Sequence, residues 1–276
     1  MLAAVAILVW LVAATGGAQP QMAEGADPAP PWPTSDPPPS GDPAVDAAAA
    51  FLVRAGPTGA NDLAVILDHL DRRYDLAWAA PVTARARWQA GGPGSLQATL
   101  FARVYDAGAA VPLSPAEMTL QRTDQLTSTA LHCDRWPLPD DYVDRVERFS
   151  TRHGLSDKTH ALIAAIWAHE HRCIDDAEYT RLVDLIAPQL VQGIQQRSKV
   201  DDPFVESVAL LNFAGRGDLV DPAWITAIRD AQRPDGGWKE DPEAERSSSH
   251  TTFLALWVLL QADHPDAAPV SWIRDP

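Results

Sequence analysis

Cysteine is almost absent. Cys133 and Cys173 are the only two in 276 residues, so the chain closes one intramolecular bridge at most. Basic residues are also scarce: 22 Lys and Arg against 37 Asp and Glu leave a formal charge of −15, which argues against nucleic acid or an anionic membrane surface as a partner. No glycine-rich phosphate loop, no Gly-x-Ser-x-Gly elbow and no His-Glu-x-x-His pair occurs; Ala168-His-Glu-His171 is only superficially like the last. His169 and His171 are two apart, so on a helix they diverge and read as polar residues of a helix end. No segment alternates with the period of a strand, because apolar residues recur at helical spacing throughout.

What is present divides the chain into three parts. Residues 1–18 hold a short apolar run followed by small residues, which reads as a signal peptide, although no Lys or Arg precedes it. Export to a secreted or periplasmic location follows, with an N-terminal membrane anchor as the alternative and no span expected in the mature protein. Residues 19–42 are proline-dense and read as an extended linker. The folded body is expected over residues 43–276, and 46% hydrophobic content suffices for its core. Ten tryptophans against four tyrosines must be buried or line a cavity.

Within the body, helices are expected over residues 45–55 and 61–74, with Asn61 as a cap, then an irregular Trp-rich connection over 78–94. Further helices are expected over 96–108 and from Leu113, with Ser114 and Pro115 in the cap and first turn, toward Leu131. Three helix pairs follow. In each, an amphipathic helix precedes a more apolar one, and Ser156 is placed as the cap of the first apolar helix. The apolar members share a pattern: His160 and Trp167, Glu206 and Phe213, His250 and Trp257, each an ionisable residue with an aromatic seven places on. Steps of 46 and 44 residues separate the three starts. A period in that range marks stacked helix pairs that cannot bury their faces alone.

The third pair carries a motif. Gln232-Arg-Pro-Asp-Gly-Gly-Trp238, followed by Ser249-His250-Thr251-Thr252 and an Ala/Leu-rich helix, resembles the repeat of the terpenoid cyclase and protein prenyltransferase α/α-toroids. The resemblance implies an all-α fold, an α/α-toroid complete or incomplete, with inner and outer helices around a central cavity. In the prenyltransferases a His in a His-Thr setting is a zinc ligand, and His250 matches it; the Asp and Cys that complete that ligand set have no counterpart. Gln232, Gly236, Gly237 and Trp238 are expected to build the repeat and carry no chemistry.

The internal alignment points to a different site. Equivalent positions on successive inner helices would turn His160, Glu206 and His250 toward one end of a cavity, a set suited to Zn²⁺ with an open position for water. Glu206 then serves as ligand or general base. The bland alternative is that each is a solvated polar residue near a helix start. Cys133 and Cys173 are expected as a disulfide, with metal ligation or nucleophilic use of Cys133 beside His132 and Asp134 as the alternative. Asp140, Asp141 and Asp144 match the magnesium-binding string of some terpene synthases, yet acidic residues at a helix start also cap it and favour its dipole. The expectation is an exported cavity protein acting on a small-molecule or peptide ligand, as a metal-assisted lyase or hydrolase. A non-catalytic binding or scaffold module, and a prenyl-transfer or cyclase-like enzyme, are the other classes.

Overall fold

The computed structural model describes residues 37–55, 60–90, 101–109, 122–152 and 154–274. The leader, most of the proline-rich stretch and the helix start at Leu113 lie outside what is described, as does the side chain of Asn61, which stands inside α2. The described residues form ten α-helices and no strand: α1 Pro43–Ala55, α2 Ala60–Tyr74, α3 Ala79–Ala90, α4 Arg122–Leu131, α5 Tyr142–Ser150, α6 Leu155–Glu170, α7 Asp176–Gln195, α8 Asp202–Phe213, α9 Pro222–Asp230 and α10 Ser249–Asp263. The fold is all-α.

Capping chemistry sets several of these starts. Asp175, Asp201, Asp221 and Ser248 sit at the N-caps of α7, α8, α9 and α10, each accepting from a backbone N–H of the first turn. Pro203 and Pro222 occupy first-turn positions of α8 and α9, where a missing N–H costs nothing. Ser156 is not a cap: α6 begins at Leu155 behind Gly154, so Ser156 lies inside the first turn. Nor is the stretch after Trp78 irregular as far as Ala90, since α3 runs that far; residues 91–94 of the expected connection lie outside what is described. The proline of α3, Pro81, falls in the first turn, where the ring clashes with nothing, and the alanines around it favour helix. Of the helix expected over 96–108, the described part is a 3₁₀ turn at Ala102–Val104.

Burial separates two kinds of helix. In α5 one stripe is buried, Tyr142, Val146, Phe149 and Ser150, and the rest faces water. In α6 and α10 burial runs nearly all round: Ala161 to Ala168 without a break, and Thr251 to Gln261 likewise. Such helices need neighbours on every side, and they have them. α4 packs on α6, α6 on α8, α8 on α10 and α10 on α2, while α5, α7, α9, α1 and α3 each lie against a member of that series.

The third pair's motif works as hairpin architecture. Gly236 has φ +90°, and a Cβ there would sit 2.2 Å from the Ala47 carbonyl oxygen of α1, so only glycine fits. Gln232 Nε2 donates to the carbonyls of Ala44 (2.8 Å) and Gly236 (3.0 Å). Trp238 is fully buried; its indole Nε1 donates to Ile228 O at 2.6 Å and its backbone N–H to Thr252 Oγ1 at 3.0 Å. The motif thus ties α1, α9 and α10 together.

Cys133 and Cys173 are bonded, with Cα atoms 6.2 Å apart, joining the chain just past α4 to the chain just past α6. This corrects the alternative reading of Cys133. Its sulfur is spent in the bridge, so it offers no thiolate to a metal or substrate. Its neighbour Asp134 is taken by the Arg103 guanidinium, which also donates to Leu131 O at 2.9 Å.

A candidate site lined by two imidazoles, a carboxyl group and three indoles

Neighbouring helices α6, α8 and α10 bring the expected residues to one place. His160, Glu206 and His250 all line a cavity of about 140 Å³. Its other walls include Ile163, Leu210, Leu254, Trp167, Trp257 and Trp272, with Asp124 and Thr127 from α4. The three polar residues are not equivalent by distance from their helix starts, being the sixth, fifth and second residues of α6, α8 and α10.

Glu206 is the buried member, 7% exposed. Thr159 Oγ1 donates to its Oε2 at 2.6 Å, joining α6 to α8. Burial pushes its carboxyl above the usual range; the charge of Asp202 adds to that, while the His160 and His250 charges and the Thr159 hydrogen bond only partly offset it. Asp202, one turn earlier on α8, goes the other way. Burial raises it too, but the charge and hydrogen bond of His250, the Thr251 hydrogen bond and the charge of His160 outweigh burial and hold it below the usual carboxylate range. The two acids are thereby driven apart, Glu206 upward and Asp202 downward.

The imidazoles are held differently. His250 Nε2 lies 3.5 Å from Asp202 Oδ1, and that same oxygen accepts from Thr251 Oγ1 at 2.7 Å. His160 Nδ1 lies 2.7 Å from the carbonyl oxygen of Ser156. A carbonyl only accepts, so Nδ1 carries the proton, and in the neutral ring Nε2 is left as the base.

Among the described residues no three His, Cys, Asp or Glu side chains gather closely enough to hold one ion. Thr159 holds Glu206 through Oε2, Ser156 holds His160 through Nδ1 and Asp202 lies beside His250 Nε2, while Cys133 is withdrawn into its disulfide.

Other sequence candidates have structural roles. Asp141 stands at the N-cap of α5 and pairs with Arg145 at 2.8 Å, so the Asp140 to Asp144 string builds a helix start. His169 Nε2 lies 2.9 Å from Asp176 Oδ1 and its ring stacks on Tyr179 at 4.2 Å. Thr159 and the tryptophan wall were not singled out as site residues from sequence. The aromatic recurring seven places after each ionisable residue was the signal that could have found Trp167 and Trp257.

The last described segment completes the wall. Trp272 and Ile273 are buried, and their backbone N–H groups donate to the Glu170 carboxylate at 2.7 and 2.9 Å. Arg72 donates to the carbonyls of Ser271 (2.8 Å) and Trp272 (2.7 Å), and Arg274 grips Asp68. Trp272 is so pinned against Trp167 and Trp257, with ring centroids 5.5 and 5.3 Å away. No helix among the described residues is long and apolar enough to cross a membrane. No protein-family model, no curated protein and no solved structure matches the chain.

Proposed function

We propose that this is an exported small-molecule enzyme of lyase or hydrolase type that works by general acid–base catalysis in its buried cavity. The neighbour order of α4, α6, α8, α10 and α2, with the other helices outside them, suits an arc of the α/α-toroid that the Gln232 to Trp238 motif resembles. One observation carries the chemical reading: a buried carboxyl, raised above its usual range by burial, lines the same cavity as two imidazoles. In this reading Glu206 gives a proton to a substrate carbonyl or leaving oxygen. His250 takes one, and Asp202 stabilises the imidazolium that forms. His160 Nε2 is the second base in reach of the cavity.

The test is turnover by the purified chain of a panel of small aryl esters and β-hydroxy carbonyl compounds, for hydrolysis and elimination respectively. Glu206→Gln keeps shape and an acceptor for Thr159 but cannot exchange the proton. It is expected to lower kcat by a factor of roughly 10² or more with little change in KM, the size typical of a lost general acid. Equal rates in wild type and Glu206→Gln would remove the reading. Elemental analysis of the same preparations provides a second check. A stoichiometric ion that is lost in His250→Ala would replace acid–base chemistry with a metal centre.

A further inference from the structure

Two polar groups of the cavity are each held from behind, and the hold decides what the front offers. Thr159 Oγ1 donates to Glu206 Oε2 at 2.6 Å, and His160 Nδ1 lies 2.7 Å from the Ser156 carbonyl oxygen. Ser156 and Thr159 both belong to the opening turns of α6, so one helix start orients an acid and a base. The other atom of each group is unspent. Glu206 Oε1 and His160 Nε2 make no hydrogen bond among the described residues, and neither atom is buried. The indole nitrogens of Trp167, Trp257 and Trp272 are buried, so those rings border the cavity with carbon.

What the two unspent atoms are follows from the holds. His160 Nδ1 carries its proton against the carbonyl, which leaves Nε2 of the neutral ring as an acceptor. In the acid–base reading, on which this step rests, Glu206 carries a proton. Thr159 already donates to Oε2, so the acid proton stands on Oε1 as a donor. The Ser156 oxygen, 2.9 Å from the same hydroxyl, is served by His160, so the one Thr159 proton goes to the shorter contact. Burial of the carboxyl favours its neutral form. The cavity therefore shows a ligand one donor and one acceptor, from the neighbouring helices α8 and α6.

From this we infer that the cavity selects a carboxamide with a benzene-sized apolar part, its carbonyl oxygen on Glu206 Oε1 and its N–H on His160 Nε2. The volume of about 140 Å³ sets the size, since an apolar cavity of roughly 150 Å³ takes up benzene. Exposure sets the orientation. His160 and His250 are half-buried and mark the mouth, while Trp167, Trp257 and Trp272 are 4%, 0% and 3% exposed and form an apolar floor with Leu210 and Leu254. An ester of the same shape has the carbonyl but no N–H, and leaves Nε2 unpaired. A cation is the rival ligand, because Asp124 lines the same wall and Asp202 stands behind His250. An ammonium can donate to Nε2, yet it has no lone pair for a donor at Oε1.

The experiment titrates the full chain by calorimetry with benzamide, methyl benzoate and benzylamine near neutral pH, where benzylamine is a cation. Benzamide is expected to bind at least tenfold more tightly than methyl benzoate, the size of one acceptor left unpaired. His160→Phe keeps a ring and removes the acceptor. It is expected to cut that preference to threefold or less while methyl benzoate still binds. Glu206→Gln can donate to the carbonyl from its amide, so benzamide affinity should stay within threefold of wild type. Equal affinity for amide and ester, no binding of either, or a preference that survives His160→Phe would overturn the inference. Benzylamine as the tightest ligand would overturn it too, and its advantage disappearing in Glu206→Gln would show an ionised Glu206 and sink the acid–base reading as well. An amide preference without turnover of any compound would sink only that reading. Turnover that is lost in Glu206→Gln, without an amide preference, would sink only this inference.

Discussion

Glu206 and His69 make opposite demands on pH, and both follow from burial. The Glu206 carboxyl is raised in the folded protein, so folding binds its proton more tightly than the unfolded chain does. Its contribution to stability is full below the unfolded value of 4.5 and is lost as pH rises through the folded value. Glu206→Gln should therefore gain on wild type as pH rises, which urea unfolding of both between about pH 4 and 8 will measure. His69 is pulled from 6.5 down to about 3 by burial, then by the charges of Arg72 and Arg73, against a hydrogen bond with Ser271. Its contribution is full above 6.5 and fades as pH falls toward 3, at about 1.4 kcal/mol per pH unit. His69→Phe should flatten that acid limb in the same titration. Sequence reading reached Glu206 through its alignment with two histidines, but nothing local marks His69, because neutrality there is imposed by helices distant in the chain.

Among the elements, the third helix pair was the most legible, because glycine and proline punctuation is local chemistry. Gly236 shows how far that goes. Its presence in a turn is readable from Asp-Gly-Gly, while its close approach to Ala47 is not, since α1 lies nearly two hundred residues away. Gly236→Ala must push α1 off the hairpin and strain a positive φ, and a loss of about 3 kcal/mol in chemical unfolding is expected. The connection after Trp78 was misread for the converse reason. A proline in such a stretch suggests a break, yet Pro81 stands in a first turn and breaks nothing. The disulfide links the ends of α4 and α6 across 40 residues. Closing a loop of that length restricts the unfolded chain by about 4 kcal/mol. The double variant Cys133→Ser/Cys173→Ser should lose stability of that order in the same measurement.

Over the whole molecule, the closing segment that carries Trp272 is not a helix and has no sequence signature, but it caps the cavity. Glu170 holds two of its backbone N–H groups, with Arg72 and Arg274 beside it. Glu170→Ala should cost about 2 kcal/mol and speed hydrogen exchange at the Trp272 and Ile273 amides, while amides of α10 keep their protection. By itself the sequence determined the class of fold and the helix pairs: apolar spacing, caps and turn glycines act within a few residues of where they stand. It also determined which residues had the chemistry for a site. Only the tertiary structure decided that His160, Glu206 and His250 border one cavity, that Asp202 stands behind His250, and that three indoles close the far end. Those outcomes depend on how far each helix slides against its neighbour. The repeat constrains that offset to a turn or so, and side-chain packing settles it.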